Sequence, residues 1–133
     1  MKRLFDHIDL RVKNRARAQE FYSKILPAIG FTLDKSADEW GAFEVDGAGQ
    51  PSEFFGFTED TNHRPNETRI AFWAHTRQQV DSVAKVVRDA GGQNLEGPQI
   101  CPEYSRGYYA LFFEDPDGNK LEVCCRGSVI IAD

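Results

Sequence analysis

Only three of the 133 residues are cysteine, an odd number, and two of them, Cys124 and Cys125, are adjacent. That count excludes a disulfide framework, and no cysteine or histidine spacing of the zinc-finger kind appears. The thiols are expected to be reduced and mostly buried. Long apolar runs are also missing, and none approaches the roughly 20 residues needed to span a bilayer. Met1-Lys2-Arg3-Leu4-Phe5-Asp6-His7 turns acidic before the apolar core of a signal peptide could form, so a cytoplasmic protein is expected. Basic residues are outnumbered, 16 against 21 acidic ones, for a net charge of −5. This balance argues against a dedicated nucleic-acid or anionic-membrane binder. Phosphate cradles and common nucleophile motifs are absent as well: there is no Gly-x-Gly-x-x-Gly, Walker loop, His-Glu-x-x-His or Gly-x-Ser-x-Gly.

What is present suffices for one core. Hydrophobic residues make up 41% of the chain, including 10 Phe, 4 Tyr and 2 Trp, which excludes a disordered tail. The length falls in the roughly 100–150 residues of a typical single domain.

Residues 4–12 alternate as a strand, with Leu4, Ile8, Leu10 and Val12 on one face and Phe5, His7, Asp9 and Arg11 on the other. Asn14 offers a helix cap, and Ala18, Phe21, Tyr22, Ile25 and Ile29 form an apolar stripe. The spacing predicts a helix over about 15–26, ended by Pro27 and Gly30, followed by strands at 31–35, 40–46 and 53–58. Asp46 to Pro51 is a turn by composition. After a polar linker over 60–68 the order repeats: a strand at 69–74, a helix opened by Thr76-Arg77-Gln78-Gln79 and closed by Gly91-Gly92, and strands near 93–96, 108–114 and 120–126. Asp115-Pro116-Asp117-Gly118-Asn119 joins the last two strands as a hairpin. At an offset of 62 residues, His7-Ile8-Asp9-Leu10 falls on Arg69-Ile70-Ala71-Phe72. The expectation is an α+β fold within one domain, residues 1–133, with modules of about 4–58 and 68–126. Each helix covers one face of four strands, and the other faces meet in a cup, with His7 and Arg69 at equivalent positions inside it.

The sequence resembles the vicinal oxygen chelate superfamily, the fold of glyoxalases, extradiol dioxygenases and bleomycin-resistance proteins. The resemblance rests on Phe5-Asp6-His7-Ile8, Phe21 to Leu26 with Gly30-Phe31, Arg69-Ile70-Ala71-Phe72, and above all Gly107 to Glu122 with its Asp-Pro-Asp-Gly-Asn turn. It spans about 5–126. It implies paired βαβββ modules curving around a cup, helices outside, and a divalent metal (Zn, Mn, Fe, Ni or Co) inside. The implied ligands are a His on each module's first strand and a Glu on the last strand, sometimes with a fourth ligand at the end of module one. These positions fall on His7, Arg69 and Glu122, with Glu53 as a replacement donor unless the register shifts by one residue to Phe54 or Phe55. Arginine is the departure, because a guanidinium offers no lone pair to a metal.

Two readings lead, beside a third in which a dimeric module keeps the cup only as a structural cavity. In one, a metal at His7, Glu122 and a third donor polarises the oxygens of a small carbonyl or diol substrate, with Glu122 and Glu53 as the catalytic carboxylates. In the other, a metal-free protein of the bleomycin-resistance kind holds a small polar or acidic ligand through Arg69. Arg69 could instead close the site by a salt bridge to Glu122. Trp73 and Phe5 would wall the pocket, and Glu103, Tyr104 and Tyr109, from the long irregular segment 99–109, are candidate lid or pocket contacts. The apolar tail Ser128 to Asp133 would add an edge strand or cover a partner, consistent with a homodimer.

Overall fold

The computed structural model describes residues 3–47 and 52–126. The tail at 128–133 and most of the turn at 46–51 lie outside the described residues. The chain divides between Arg64 and Pro65 into two compact units, inside the polar stretch expected to link the modules.

The first unit runs β1 (His7–Val12), α1 (Arg15–Ile29), β2 (Leu33–Asp34), β3 (Trp40–Glu44) and β4 (Phe54–Glu59). Its sheet has the order β1-β4-β3-β2, with β1 parallel to β4 and the other pairs antiparallel. The Asn14 side chain caps α1 by accepting from the Arg17 N–H. The helix does not stop at Pro27 as expected. It continues to Ile29, with Pro27 inside its last turn. Leu26 and Ile29 are buried and extend the apolar stripe past the proline, and Gly30 ends the helix at φ 138°. Tyr22 packs against Phe55 and Phe57 of β4, so the α1 face of the sheet is aromatic.

The second unit repeats the order: β5 (Arg69–Trp73), α2 (Arg77–Ala90), β6 (Gln93–Ile100), β7 (Tyr109–Glu114) and β8 (Lys120–Cys125). Its sheet is β5-β8-β7-β6, with β5 parallel to β8. Val80, Val83, Ala84 and Val87 form the buried stripe of α2. The Thr76 hydroxyl accepts from the Gln79 N–H, while the Gln79 side chain accepts from the His75 N–H, one residue earlier than in an ordinary capping box. His75 thus serves the cap, with its ring taking a hydrogen bond from Trp73 Nε1 at 3.4 Å.

β6 is twice as long as the expected 93–96 and consumes the start of the segment read as irregular. It is an edge strand, so Pro98, lacking an N–H, costs no ladder bond. Register shifts on either side of Glu96 absorb the surplus residues. Gly97 sits at φ 100°, and a Cβ there would lie 2.6 Å from the Ala110 carbonyl oxygen, so no other residue fits. The hairpin turn is built on buried Asp115, whose carboxylate accepts from the Asp117 N–H, the Asn119 N–H and the Asn119 side-chain amide. That turn pairs Glu114 with Lys120 and so fixes the register of β7 and β8.

The two units share one topology, and the fold is α+β, with two helices and eight strands among the described residues. No helix among the described residues is long and apolar enough to cross a membrane.

Candidate ligand-binding site

Strand alternation sorts the second sheet into two faces. The face toward α2 carries Leu111, Phe113, Leu121, Val123 and Cys125, all buried. Register places Arg69, Ala71 and Trp73 of β5, Lys120, Glu122 and Cys124 of β8, and Ala110, Phe112 and Glu114 of β7 on the far face. Polar and ionisable groups collect there, as the sequence pattern of β5 implied.

Glu122 is 5% exposed. A carboxylate that deep needs a donor, and the Tyr108 hydroxyl, itself 7% exposed, donates to its Oε2 in a short hydrogen bond. Burial, then contacts with Cys124 and Glu122, push the Tyr108 phenol well above its ordinary range, so it stays protonated as a donor. Tyr108 was not among the expected site residues. Burial raises the thiols of Cys101 and Cys124, which pack with Tyr108, Ala110 and Phe112; none of the three cysteines is in a disulfide.

Arg69 forms no salt bridge with Glu122. In-register, Arg69 lies opposite Lys120, and Glu122 lies opposite Ala71. The guanidinium instead stacks 5.0 Å from the centre of the Phe112 ring and donates one long hydrogen bond, 3.5 Å, to the Leu121 carbonyl oxygen. Arg69, Asn94, Glu96, Phe112, Glu114 and Lys120 line a cleft of about 120 Å³. Within it Glu114 accepts from Asn94 at 3.0 Å and pairs with Lys120 at 3.2 Å. The Asn94 hydrogen bond, followed by Lys120 and Arg69, holds the Glu114 carboxyl below its ordinary range despite its burial.

The aromatic candidates separate. Trp73 is 57% exposed on the far face. Tyr104, 59% exposed, presents its ring edge to Tyr108 at 5.2 Å and to Phe112 at 6.4 Å. Glu103 is exposed beside Cys101, whose thiol its charge raises slightly. Tyr109 does not join them: alternation turns it to the α2 face, where its hydroxyl donates to Asp81 at 2.6 Å and Arg77 stacks on its ring. Tyr108, one residue earlier, takes the place that Tyr109 was expected to hold.

In the first unit the far face carries His7, Asp9, Trp40, Phe54, Gly56 and Thr58 around a hollow of about 260 Å³. His7 stacks flat on Phe54, ring centres 4.4 Å apart, with its Nδ1 2.7 Å from Asp6. The register pairs His7 with Phe54, so Glu53 is not the donor beside His7. A one-residue shift reverses the face, and Glu53 reaches toward Arg3 at 3.9 Å instead. Phe5 lies in the segment before β1, 77% exposed.

The matching registers identify one more position. His7 faces Phe54 and Arg69 faces Lys120; two residues on, Asp9 faces Gly56 and Ala71 faces Glu122. Gly56 is therefore the first module's equivalent of Glu122, and it has no side chain to offer. Of the first- and last-strand positions, the first unit offers one donor, His7, beside Gly56, and the second offers one, Glu122, beside Arg69; Glu122 already accepts from Tyr108. Among the described residues no group of three or more His, Cys, Asp or Glu side chains could hold a metal ion. The donor set does not fit a resident divalent metal.

Residues 4–123 match the model of the Glyoxalase/Bleomycin resistance protein/Dioxygenase superfamily. The chain belongs to this superfamily. Virulence protein STM3117 of Salmonella typhimurium is 26% identical over 120 residues, covering 89% of this chain and 81% of that one. A glyoxalase/bleomycin resistance protein from Albidiferax ferrireducens has a similar structure, with a TM-score of 0.73, 24% identity, and coverage of 92% of this chain and 98% of that one. The fosfomycin resistance protein FosX from Listeria monocytogenes, in complex with Mn(II) and 1S,2S-dihydroxypropylphosphonic acid, is similar at a TM-score of 0.63 and 17% identity, covering 92% of this chain and 90% of that one.

Proposed function

We propose that this protein binds a small molecule carrying an anionic group, without a resident metal, and that Arg69 is the anchor. Membership of the superfamily supports small-molecule binding or turnover in general. One observation carries the more specific reading: a guanidinium stands in the first-strand ligand position, oriented by Phe112, with no carboxylate of the described residues within ion-pair distance. Such a group presents several free donors in the planar fork that suits carboxylates and phosphonates. Exposed Tyr104, whose ring lies 6.4 Å from that of Phe112, supplies aromatic surface next to the ring that Arg69 stacks on. The small phosphonic acid bound by FosX is compatible with an anion held on this fold.

The test uses propionate as probe. Titration into ¹⁵N-labelled protein is expected to shift amide resonances of β5, β7 and β8, with the response abolished in Arg69→Gln. Protein purified without chelators is expected to hold far less than one divalent metal per chain. Near-stoichiometric metal lost in His7→Ala, or a propionate response indifferent to Arg69, would overturn the reading in favour of a metal-dependent enzyme or of a different site.

A further inference from the structure

The charges lining the cleft at Arg69 narrow the ligand class, on the premise that Arg69 is the anchor. Of its four ionised side chains, Lys120 pairs with Glu114 at 3.2 Å and Asn94 holds Glu114 from the other side, while Arg69 acts on that carboxylate only from beyond ion-pair distance. Two charges remain. Arg69 has its guanidinium over Phe112 and no ion pair with a described residue. Glu96, on the edge strand β6, is the register partner of Phe112, and its side chain forms no hydrogen bond or ion pair with another described residue. One unpaired cation and one unpaired anion thus belong to one cleft, with the Phe112 side chain common to both. A carboxylate that only balanced Arg69 would leave Glu96 facing a second negative charge; a ligand carrying both signs satisfies both groups.

We infer that the cleft selects a small zwitterion, a molecule bearing a carboxylate and an ammonium group, with Arg69 taking the carboxylate and Glu96 the ammonium. The cleft's size agrees: on the scale where about 150 Å³ holds benzene, about 120 Å³ holds a molecule of some five or six heavy atoms. That is the range of the smallest amino acids. Lys120 is held by Glu114 at 3.2 Å, so it does not compete with Arg69 for the carboxylate.

The experiment compares alanine with propionate, two three-carbon acids that differ by the ammonium group, by NMR titration of wild type, Glu96→Gln and Arg69→Gln. Alanine is expected to bind about tenfold more tightly than propionate to wild type, the low end of a charge-assisted hydrogen bond. That preference should vanish in Glu96→Gln, an exposed strand position where the amide preserves the side chain's shape. Both probes should lose binding in Arg69→Gln. Equal affinities in wild type, or a preference that survives Glu96→Gln, overturn the zwitterion while leaving the Arg69 anchor standing. Failure of either probe to bind through Arg69 removes the anchor, and the zwitterion with it.

Discussion

At the scale of single residues, Tyr108 matters most after Arg69, because it decides what Glu122 can do. A buried carboxylate with a phenol donating to one oxygen is an acceptor held in place, and its capacity for a metal is reduced. Tyr108→Phe removes that donor and leaves Glu122 buried without it, at a cost of about 1–3 kcal/mol to folding. The pH dependence has a definite sign. The folded-state phenol is raised above its unfolded value, so the stability it contributes is complete below about pH 10, the ordinary tyrosine value, and is lost as pH rises above that. Urea midpoints measured from pH 7 to 11 should fall more steeply for wild type than for Tyr108→Phe; parallel curves would contradict the assignment. The signal for Tyr108 was in the sequence: the Asp115–Asn119 turn pairs Phe112 with Glu122 and Ala110 with Cys124, and two more residues along the strand lead to 108, not 109. Glu53 is a different case. Its place depends on the parallel register of β1 with β4, set by packing across some 45 intervening residues rather than by any local turn.

At the scale of elements, what could be read early is what is decided locally. Asn14 and Thr76 cap their helices because short polar side chains satisfy N–H groups three residues on, and the valine stripe of α2 is spaced for one buried face. Both α1 and β6 run past their expected ends, and each passes a proline on the way. In the last turn of a helix and on an edge strand the missing N–H costs little, and burial of Leu26 and Ile29, or pairing with β7, carries the element past it. The α2 caps are the place to test this account of local control. Thr76→Ala should lower stability by about 1 kcal/mol, and Gly91→Ala by a similar amount, since Gly91 ends α2 in the left-handed region at φ 96°. Denaturant midpoints of the two variants should both fall with the m-value unchanged; no loss in Thr76→Ala would show that the Gln79–His75 contact alone holds the start of the helix.

At the scale of the whole molecule, the repeat and the superfamily pattern raise an expectation of metal that the donor inventory opposes. Two modules each bring a first-strand and a last-strand position, and this chain fills them with His7, Gly56, Arg69 and Glu122. Each unit supplies a single donor, His7 in the first and Glu122 in the second, and each already has a hydrogen-bond partner; neither unit offers the three protein ligands that a resident divalent ion ordinarily requires, and in the second the Arg69 guanidinium adds like-charge repulsion. Stability should follow. An ion held at a hundred times its dissociation constant would contribute about 2.7 kcal/mol, which for a chain of this size moves the melting temperature by several degrees. Wild-type protein should therefore melt at the same temperature as purified, after exhaustive dialysis against EDTA, and with millimolar manganese or zinc restored. A drop of several degrees on chelation, reversed by one metal and not the other, would mean that donors beyond His7 and Glu122 complete a site, and the anion-anchoring role of Arg69 would have to give way.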